Sequence, residues 1–223
     1  MGVVSGRGEA RRPAAILFDL DGTLLDSAEL IITAFQETCR FHLGLDIDRG
    51  LILRAWARPI RERFHALAPD RDEELSQDYL ERYVALHDRY ARLFPGVPQT
   101  LQALSDRGYP MAIVTSKRRA TTRAALDAFD LARWCSAVIV DEDTRRHKPD
   151  PEPVHAAAGQ LGVTAAETLM VGDTPFDVAA GRDAGAATAG ALWGAVDADA
   201  LRAHRPDYML TQPEDLLTIC PSP

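Results

Sequence analysis

Two aspartates separated by one residue stand directly after an apolar run near the start of the chain. Residues 14–27 read AAILFDLDGTLLDS, and the run 14–18 is typical of a buried strand that delivers polar groups at its C-terminal end. Side chains alternate along an extended segment, so Asp19 and Asp21 are expected on the same side. Gly22 then allows the backbone to turn sharply.

Two carboxylates on one side repel each other unless a cation lies between them or one is protonated. A hard divalent cation that takes oxygen ligands would supply that charge, and Mg²⁺ is the expected ion. One carboxylate could then attack phosphorus, while the other protonates the leaving oxygen and later deprotonates water. A calcium loop is an alternative, but Leu30 stands where such a loop needs its twelfth, acidic ligand. A surface turn is another, since Asp and Gly are common in turns.

The composition is that of an ordinary globular chain. Its 223 residues fit one domain, or one domain with a modest insertion. The net charge of −8 argues against a nucleic-acid partner that binds through overall charge. Three widely spaced cysteines without a CxxC pair indicate free or buried thiols. With no signal-peptide or membrane-spanning pattern, we expect a cytoplasmic protein with no membrane partner and a frayed segment 1–12.

The pattern of the chain changes twice. Residues 27–94 carry helical periodicity and are expected to be all-helical, with a boundary at the Pro/Gly-rich stretch 94–98. From residue 100 onward strands and helices alternate, with strands predicted at 110–114, 137–140, 168–171, 186–192 and 207–210. Alternation of this kind predicts the α/β class, a Rossmann-like doubly wound parallel sheet into which strand 14–18 inserts. The predicted domains are an α/β core of residues 1–26 and 95–223 and an inserted helical domain of residues 27–94.

Further polar residues follow the predicted strands, at the edge where such sheets bind ligands. Thr115 and Ser116 could cradle a phosphate at a helix N-terminus or simply cap that helix. Lys148 stands among three prolines that would hold it in a stiff extended segment, although a lysine is ordinarily a solvated surface residue. Asp173 and Asp177 flank a tight turn and could face one cation, or could cap the next helix.

These four stretches resemble the four motifs of the haloacid dehalogenase superfamily, in the same order. The resemblance lies in FDLDGTLLDS at 18–27, Thr115 after its strand, KPDP at 148–151 and GDTPFD at 172–177. It implies that Asp19 is a nucleophile forming an aspartyl-phosphate and that Asp21 is the general acid and base. It further implies that Thr115, Ser116 and Lys148 hold the phosphoryl group. The Mg²⁺ ligands that it implies are Asp19, Asp173 and the backbone carbonyl of Asp21. By the same resemblance, Asp177 binds the metal through water or holds its neighbours in place.

Within that superfamily, Asp21 favours phosphoryl transfer, because the dehalogenases need neither a second aspartate nor a metal. The helical insertion resembles the cap of the phosphoglycolate phosphatase-like branch, while residues 148–154 and 188–194 also resemble its pyrophosphatases. The expected function is a Mg²⁺-dependent phosphatase acting on a small phosphomonoester such as phosphoglycolate. Alternatives are an inorganic pyrophosphatase, a beta-phosphoglucomutase-like phosphotransferase, and a catalytically silent protein that binds a phosphorylated metabolite.

Specificity in this branch is expected in the cap. Residues 54–61 carry three arginines around a proline, and of these Arg58 and Arg61 would suit a carboxylate or a second phosphate. The alternative for each is an arginine on the solvated face of a helix. The expected partner is a small phosphorylated metabolite, and the expected state is a monomer or homodimer.

Overall fold

The computed structural model describes residues 4–5, 12–55 and 58–222. Most of the segment predicted to be frayed lies outside the described residues. Its described residues 4–5 form a strand, so the prediction is wrong for these two residues.

A seven-stranded sheet forms the centre of the molecule, in the order β1-β9-β8-β7-β2-β5-β6. Strand β1 pairs antiparallel with β9, and all other pairs in this sheet are parallel. The chain leaves strand β2 toward β5 and β6, then returns to build β7, β8 and β9 on the other side of β2. Within the described ranges the strands are β1 (Val4–Ser5), β2 (Ala15–Phe18), β3 (Leu25–Asp26), β4 (Arg92–Leu93), β5 (Met111–Val114), β6 (Ala137–Ile139), β7 (Thr168–Gly172), β8 (Ala187–Ala191) and β9 (Tyr208–Leu210).

Helices cover both faces of this sheet. Ile16 and Phe18 contribute to one apolar cluster and Leu17 to the other, because successive side chains of a strand point to opposite faces. The predicted doubly wound α/β sheet is therefore confirmed. The helices of the described segments are α1 (Ala28–Leu43), α2 (Arg49–Arg54), α3 (Ile60–His65), α4 (Asp72–Tyr90), α5 (Val97–Asp106), α6 (Arg119–Phe129), α7 (Glu152–Gln160), α8 (Pro175–Asp183), α9 (Ala198–Ala203) and α10 (Leu216–Ile219).

Helices α1 to α4 form the insertion between β2 and β5. Their apolar stripes pack together, since Phe35 of α1 stacks on Phe64 of α3 at 4.7 Å between ring centroids, and Phe64 meets Tyr79 of α4 at 6.0 Å. The prediction that residues 27–94 are all-helical is wrong at one end, because β4 lies there and pairs antiparallel with β3. The two chain connections to the insertion run side by side, and pairing satisfies their backbone groups. The domain boundaries themselves stay a prediction.

The cysteines and the lengths of the helices bear on two further expectations from the sequence. Cys39, Cys135 and Cys220 are buried and carry free thiols, as the cysteine spacing indicated. Of the helices in the described part, none has both the length and the hydropathy to cross a bilayer.

Candidate active site

Three polar residues lie side by side because they each follow a parallel strand. Asp19 comes directly after β2, Thr115 after β5 and Asp173 after β7, and β2 lies between the other two strands. Their backbones continue the sheet, since Asp19 N donates to Val171 O at 2.9 Å and Thr115 N to Ile139 O at 2.9 Å. The register of the sheet therefore fixes where these side chains begin.

Lys148 completes this arrangement from the segment before α7. Its Nζ donates to Asp19 Oδ1 at 2.6 Å, to Asp177 Oδ1 at 2.6 Å and to Val114 O at 2.9 Å, which uses all three donors of an ammonium. Burial alone would lower the pKa of Lys148, but the two carboxylates raise it above its ordinary value. The ammonium is therefore fixed and charged, although its segment forms bends and turns rather than the predicted extended shape.

Three buried carboxylates surround a small space beside that lysine. Asp19, Asp173 and Asp177 each offer an oxygen within 4.8 Å of the other two. Burial raises the pKa of Asp19 to about 7, against the effect of Lys148, and Asp177 and Asp21 raise it further. Burial, Asp19 and Asp177 raise the pKa of Asp173 well above its ordinary value.

The two carboxylate oxygens of Asp173 differ in their hydrogen bonding. Its Oδ1 accepts from Thr23 Oγ1 at 3.1 Å, whereas its buried Oδ2 has no hydrogen-bond partner among the described residues. A buried carboxylate oxygen without a donor is costly unless a cation compensates it. Hard oxygen ligands are those that Mg²⁺ and Ca²⁺ take, so the residues fit a divalent cation.

Asp177 contributes to the start of a helix and also contacts Lys148. Its Oδ2 accepts from the backbone N of Thr174 at 3.0 Å and from Thr174 Oγ1 at 2.6 Å, at the start of α8. Its Oδ1 holds Lys148. The residue thus completes the N-terminal capping box of α8 with Thr174 and contacts the lysine at the same time.

Two glycines leave room for these carboxylates. Gly22 has φ of +88° and a Cβ there would collide with the Asp173 carboxylate, while a Cβ on Gly172 would collide with Asp177. Any side chain at either position would displace an acid of the cluster.

The Asp21 side chain is not one of the three carboxylates of that cluster. Its Oδ1 accepts from Ser27 Oγ at 2.6 Å and from Lys117 Nζ at 2.9 Å. A ligand role through its backbone carbonyl stays a prediction. Ser27 is also the N-cap residue that precedes α1.

A pocket opens between this sheet edge and the helical insertion. From the core it is lined by all the sequence-predicted site residues except Asp173, namely Asp19, Asp21, Thr115, Ser116, Lys148 and Asp177. Arg58 also lines it. Arg61, predicted to bind substrate, is outside: it is exposed and pairs with Asp72 at 3.3 Å and Glu73 at 3.6 Å, as the solvated-face alternative had it.

Sequence reasoning missed several residues that line the pocket. Arg63 stands three residues after pocket-lining Ile60 on α3, and this spacing places both on one helix face. Lys117 follows directly on Thr115 and Ser116. Tyr79 and Arg118 also line the pocket. Helical spacing could have found Arg63, whereas the partner of Lys117 depends on the packing of α4.

Comparisons with known proteins place this geometry in a family. The family described as haloacid dehalogenase-like hydrolase matches residues 16–191. A pyrophosphatase, PpaX of Bacillus velezensis, is 37% identical over 209 residues, which cover 94% of this chain and 97% of the relative. A haloacid dehalogenase-like family hydrolase from Streptococcus pneumoniae is 28% identical, with a TM-score of 0.81 over 92% of this chain and 96% of that one. CbbY from Rhodobacter sphaeroides, solved in complex with phosphate, is 25% identical, with a TM-score of 0.73 over 80% of this chain and 86% of that one.

Proposed function

This chain belongs to the haloacid dehalogenase-like hydrolase family, and from that premise we propose that it is a Mg²⁺-dependent phosphatase that works through an aspartyl-phosphate on Asp19. The observation that carries the proposal is the buried contact set in which Lys148 holds Asp19 and Asp177 beside Asp173. The enzyme class follows from the family, while the metal and the substrate are the proposal.

Each side chain has one role in this proposal. An oxygen of Asp19 attacks phosphorus, the bond from phosphorus to the leaving oxygen breaks, and Asp21 gives that oxygen a proton. Asp21 then takes a proton from water, which attacks phosphorus and releases Asp19. Thr115 and Ser116 donate to the phosphoryl oxygens, and Lys148 offsets their charge.

The cation site would be formed by Asp19 and Asp173 together with the backbone carbonyl of Asp21. A bound Mg²⁺ supplies charge neutralisation between the carboxylates and the phosphoryl group. Asp177 keeps Lys148 in place beside that site.

A cationic wall supports a substrate with a second anionic group. Arg58 of the insertion and Arg118 of the loop after β5 line the pocket. Pyrophosphate is favoured by the 37% identity to PpaX over nearly the whole chain. Phosphoglycolate, the first candidate from the sequence, fits the same wall, because a guanidinium binds a carboxylate as well as a phosphate.

The remaining alternatives make different demands. A phosphotransferase of the beta-phosphoglucomutase type needs groups in the insertion that present the phosphoryl group to a sugar. A silent binding protein needs neither Asp21 nor the Lys148 contacts. A cytoplasmic location, a monomeric or homodimeric state and the lack of a nucleic-acid partner stay predictions.

The test is phosphate release from pyrophosphate, phosphoglycolate and a sugar phosphate, with Mg²⁺ and with a chelator. We expect hydrolysis of pyrophosphate, of phosphoglycolate or of both when Mg²⁺ is present and none when the chelator is present. This hydrolysis should be lost in Asp19→Asn. Asp127→Asn, which removes an exposed carboxylate on α6, is the matched control and should stay active. Wild-type protein that binds these compounds without releasing phosphate would contradict the proposal in favour of the silent binder.

A further inference from the structure

The buried ammonium of Lys117 joins the helical insertion to the proposed acid and base. Its Nζ donates to Asp21 Oδ1 at 2.9 Å and also to Tyr83 Oη. The same Nζ lies 4.2 Å from the centroid of the Tyr83 ring. The side chain of Lys117 is 7% exposed and that of Asp21 18%, so this contact is held inside the protein.

The contact leaves one oxygen of Asp21 available. Lys117 and Ser27 both donate to Oδ1, and within the described residues Oδ2 accepts no hydrogen bond. Asp21 lines the pocket. With Oδ1 held from two sides, the carboxyl plane is fixed and Oδ2 is the oxygen that can exchange a proton with substrate or water.

The amino-acid usage of the chain points to the same residue. The sequence contains 25 lysines and arginines together, and only Lys117 and Lys148 are lysine. Both contact an aspartate of the proposed catalytic pair. An ammonium is a compact point charge with three rotatable donors, whereas a guanidinium is a planar fork, and the one ammonium of Lys117 donates to both Asp21 Oδ1 and Tyr83 Oη.

Tyr83 belongs to helix α4 of the insertion and is 1% exposed. It lies in a row of rings along α4, 6.0 Å from Tyr79 on one side and 6.0 Å from His87 on the other. His87 continues the row to Phe129 of α6, a helix of the α/β core, at 5.7 Å. The position of Tyr83 is therefore set by the packing of the insertion against the core.

We propose that Lys117 is a positioning residue for Asp21 and that Tyr83 holds Lys117 in place only when α4 is seated on the core. Packing of the insertion against the α/β core thereby fixes Asp21 in the orientation that serves proton transfer. The inference rests on the proposed function, because it assigns Asp21 the proton-transfer role.

The leaving group distinguishes this role from a structural one. Phenyl phosphate and p-nitrophenyl phosphate have similar shapes, but the phenyl leaving group is far more basic and depends more on proton donation. We expect Lys117→Met to lower kcat by roughly 100-fold for phenyl phosphate and by less than about tenfold for p-nitrophenyl phosphate, with KM changed less than about twofold. Tyr83→Phe keeps the ring and should give the same asymmetry at about three- to tenfold.

The control is Tyr109→Phe. Tyr109 donates to Pro221 O at 3.1 Å and precedes the N-terminal end of β5, at the opposite edge of the sheet from Thr115. Loss of the Tyr109 hydroxyl should change the rate of hydrolysis of neither aryl phosphate. Equal losses for both substrates in Lys117→Met and in Tyr83→Phe would overturn the proposal, and so would a change confined to KM, which indicates a substrate contact.

A second readout does not depend on activity. Protein labelled with ¹³C only in lysine gives Cε–Hε signals from two residues, which Lys117→Arg assigns. We expect Tyr83→Phe and Asp21→Asn each to shift the Lys117 signal and to leave that of Lys148 nearly unchanged. Unchanged Lys117 signals in Tyr83→Phe would overturn the proposed role of Tyr83. Shifted signals in a protein inert toward both aryl phosphates, pyrophosphate and phosphoglycolate would overturn the proposed function while the contact stands.

Discussion

Oδ1 of Asp19 accepts a 2.6 Å hydrogen bond from Nζ of Lys148, although the two residues stand 129 positions apart in the sequence. Asp19 is delivered by the central strand and Lys148 by the segment that leads into α7. The contact exists only when β2 and that segment are in place, so folding itself brings the proposed nucleophile together with its counter-ion.

Removal of Lys148 should cost both activity and stability. Lys148→Met leaves Asp19 and Asp177 buried without their cation, and breaking a buried ion pair in this way costs about 3–5 kcal/mol. We expect no detectable hydrolysis and a lower denaturation midpoint in urea without metal. Arg146→Ala is the control, because Arg146 is exposed and pairs only with Asp150 and Glu152 among the described residues. A stable Lys148→Met protein would contradict the charge balance described above.

Metal binding should strengthen as pH rises. The folded-state pKa of Asp19 is about 7 against an ordinary 3.8, so between these values the metal-free fold holds a proton that the unfolded chain has released. The contribution of Asp19 to the free energy of unfolding of the metal-free protein therefore falls as pH rises through this window. Because a cation needs both Asp19 and Asp173 deprotonated, Mg²⁺ should raise Tm more at pH 8 than at pH 5.

The control for this pH dependence is Asp173→Asn, which removes one carboxylate of the cluster. Its Tm should respond little to Mg²⁺ at either pH. Equal Mg²⁺ shifts at the two pH values in the wild type, or a wild-type response in Asp173→Asn, would show that the cation binds elsewhere.

Gly22 should be the least replaceable glycine of the site. Gly22→Ala places a side chain at φ of +88° and drives its Cβ into Asp173, so it should lose about 1–2 kcal/mol from backbone strain alone and also weaken Mg²⁺ binding. Gly185→Ala has a similar φ of +84° but no atom within 4 Å of its Cβ. We expect it to show the stability loss in thermal unfolding with normal Mg²⁺ dependence of hydrolysis. Identical Mg²⁺ titrations for the two variants would refute the packing argument.

Arg58 and Arg61 provide a matched pair on the insertion. Arg58 lines the pocket, so Arg58→Ala should raise KM about tenfold for a substrate with a second anionic group, the loss of one charge-assisted hydrogen bond. Arg61 pairs with Asp72 and Glu73 at the surface, and Arg61→Ala should leave KM unchanged. Steady-state kinetics with pyrophosphate and phosphoglycolate make the comparison, and a larger effect at Arg61 would be evidence against this pocket.

The sequence could predict those parts of the site that parallel strands position. Asp19, Thr115 and Asp173 each follow a short apolar run, and such runs end at a common edge when the strands are parallel. Lys148 needed the family resemblance, because nothing in its local pattern distinguishes it from a surface lysine.

The parts that sequence reasoning missed depend on packing between distant elements. Strands β3 and β4 have two residues each, too short for any periodicity, and they form because the two connections to the insertion meet. Arg61 and Arg63 alternate between solvent and pocket on a six-residue helix whose rotation is set by Phe64. The Lys117 partner of Asp21 could not be predicted, because the two residues stand 96 positions apart and no local pattern links them.

The central claim is that Asp19 carries the phosphoryl group during turnover, and trapping that group tests it most directly. Protein mixed with Mg²⁺ and pyrophosphate or phosphoglycolate is quenched in acid within one turnover, digested and mapped by mass spectrometry. We predict one added phosphoryl group on the peptide that contains Asp19, absent without Mg²⁺ and absent in Asp19→Asn. Phosphate release without any phosphorylated peptide at early times, or a phosphoryl group on another residue, would contradict it.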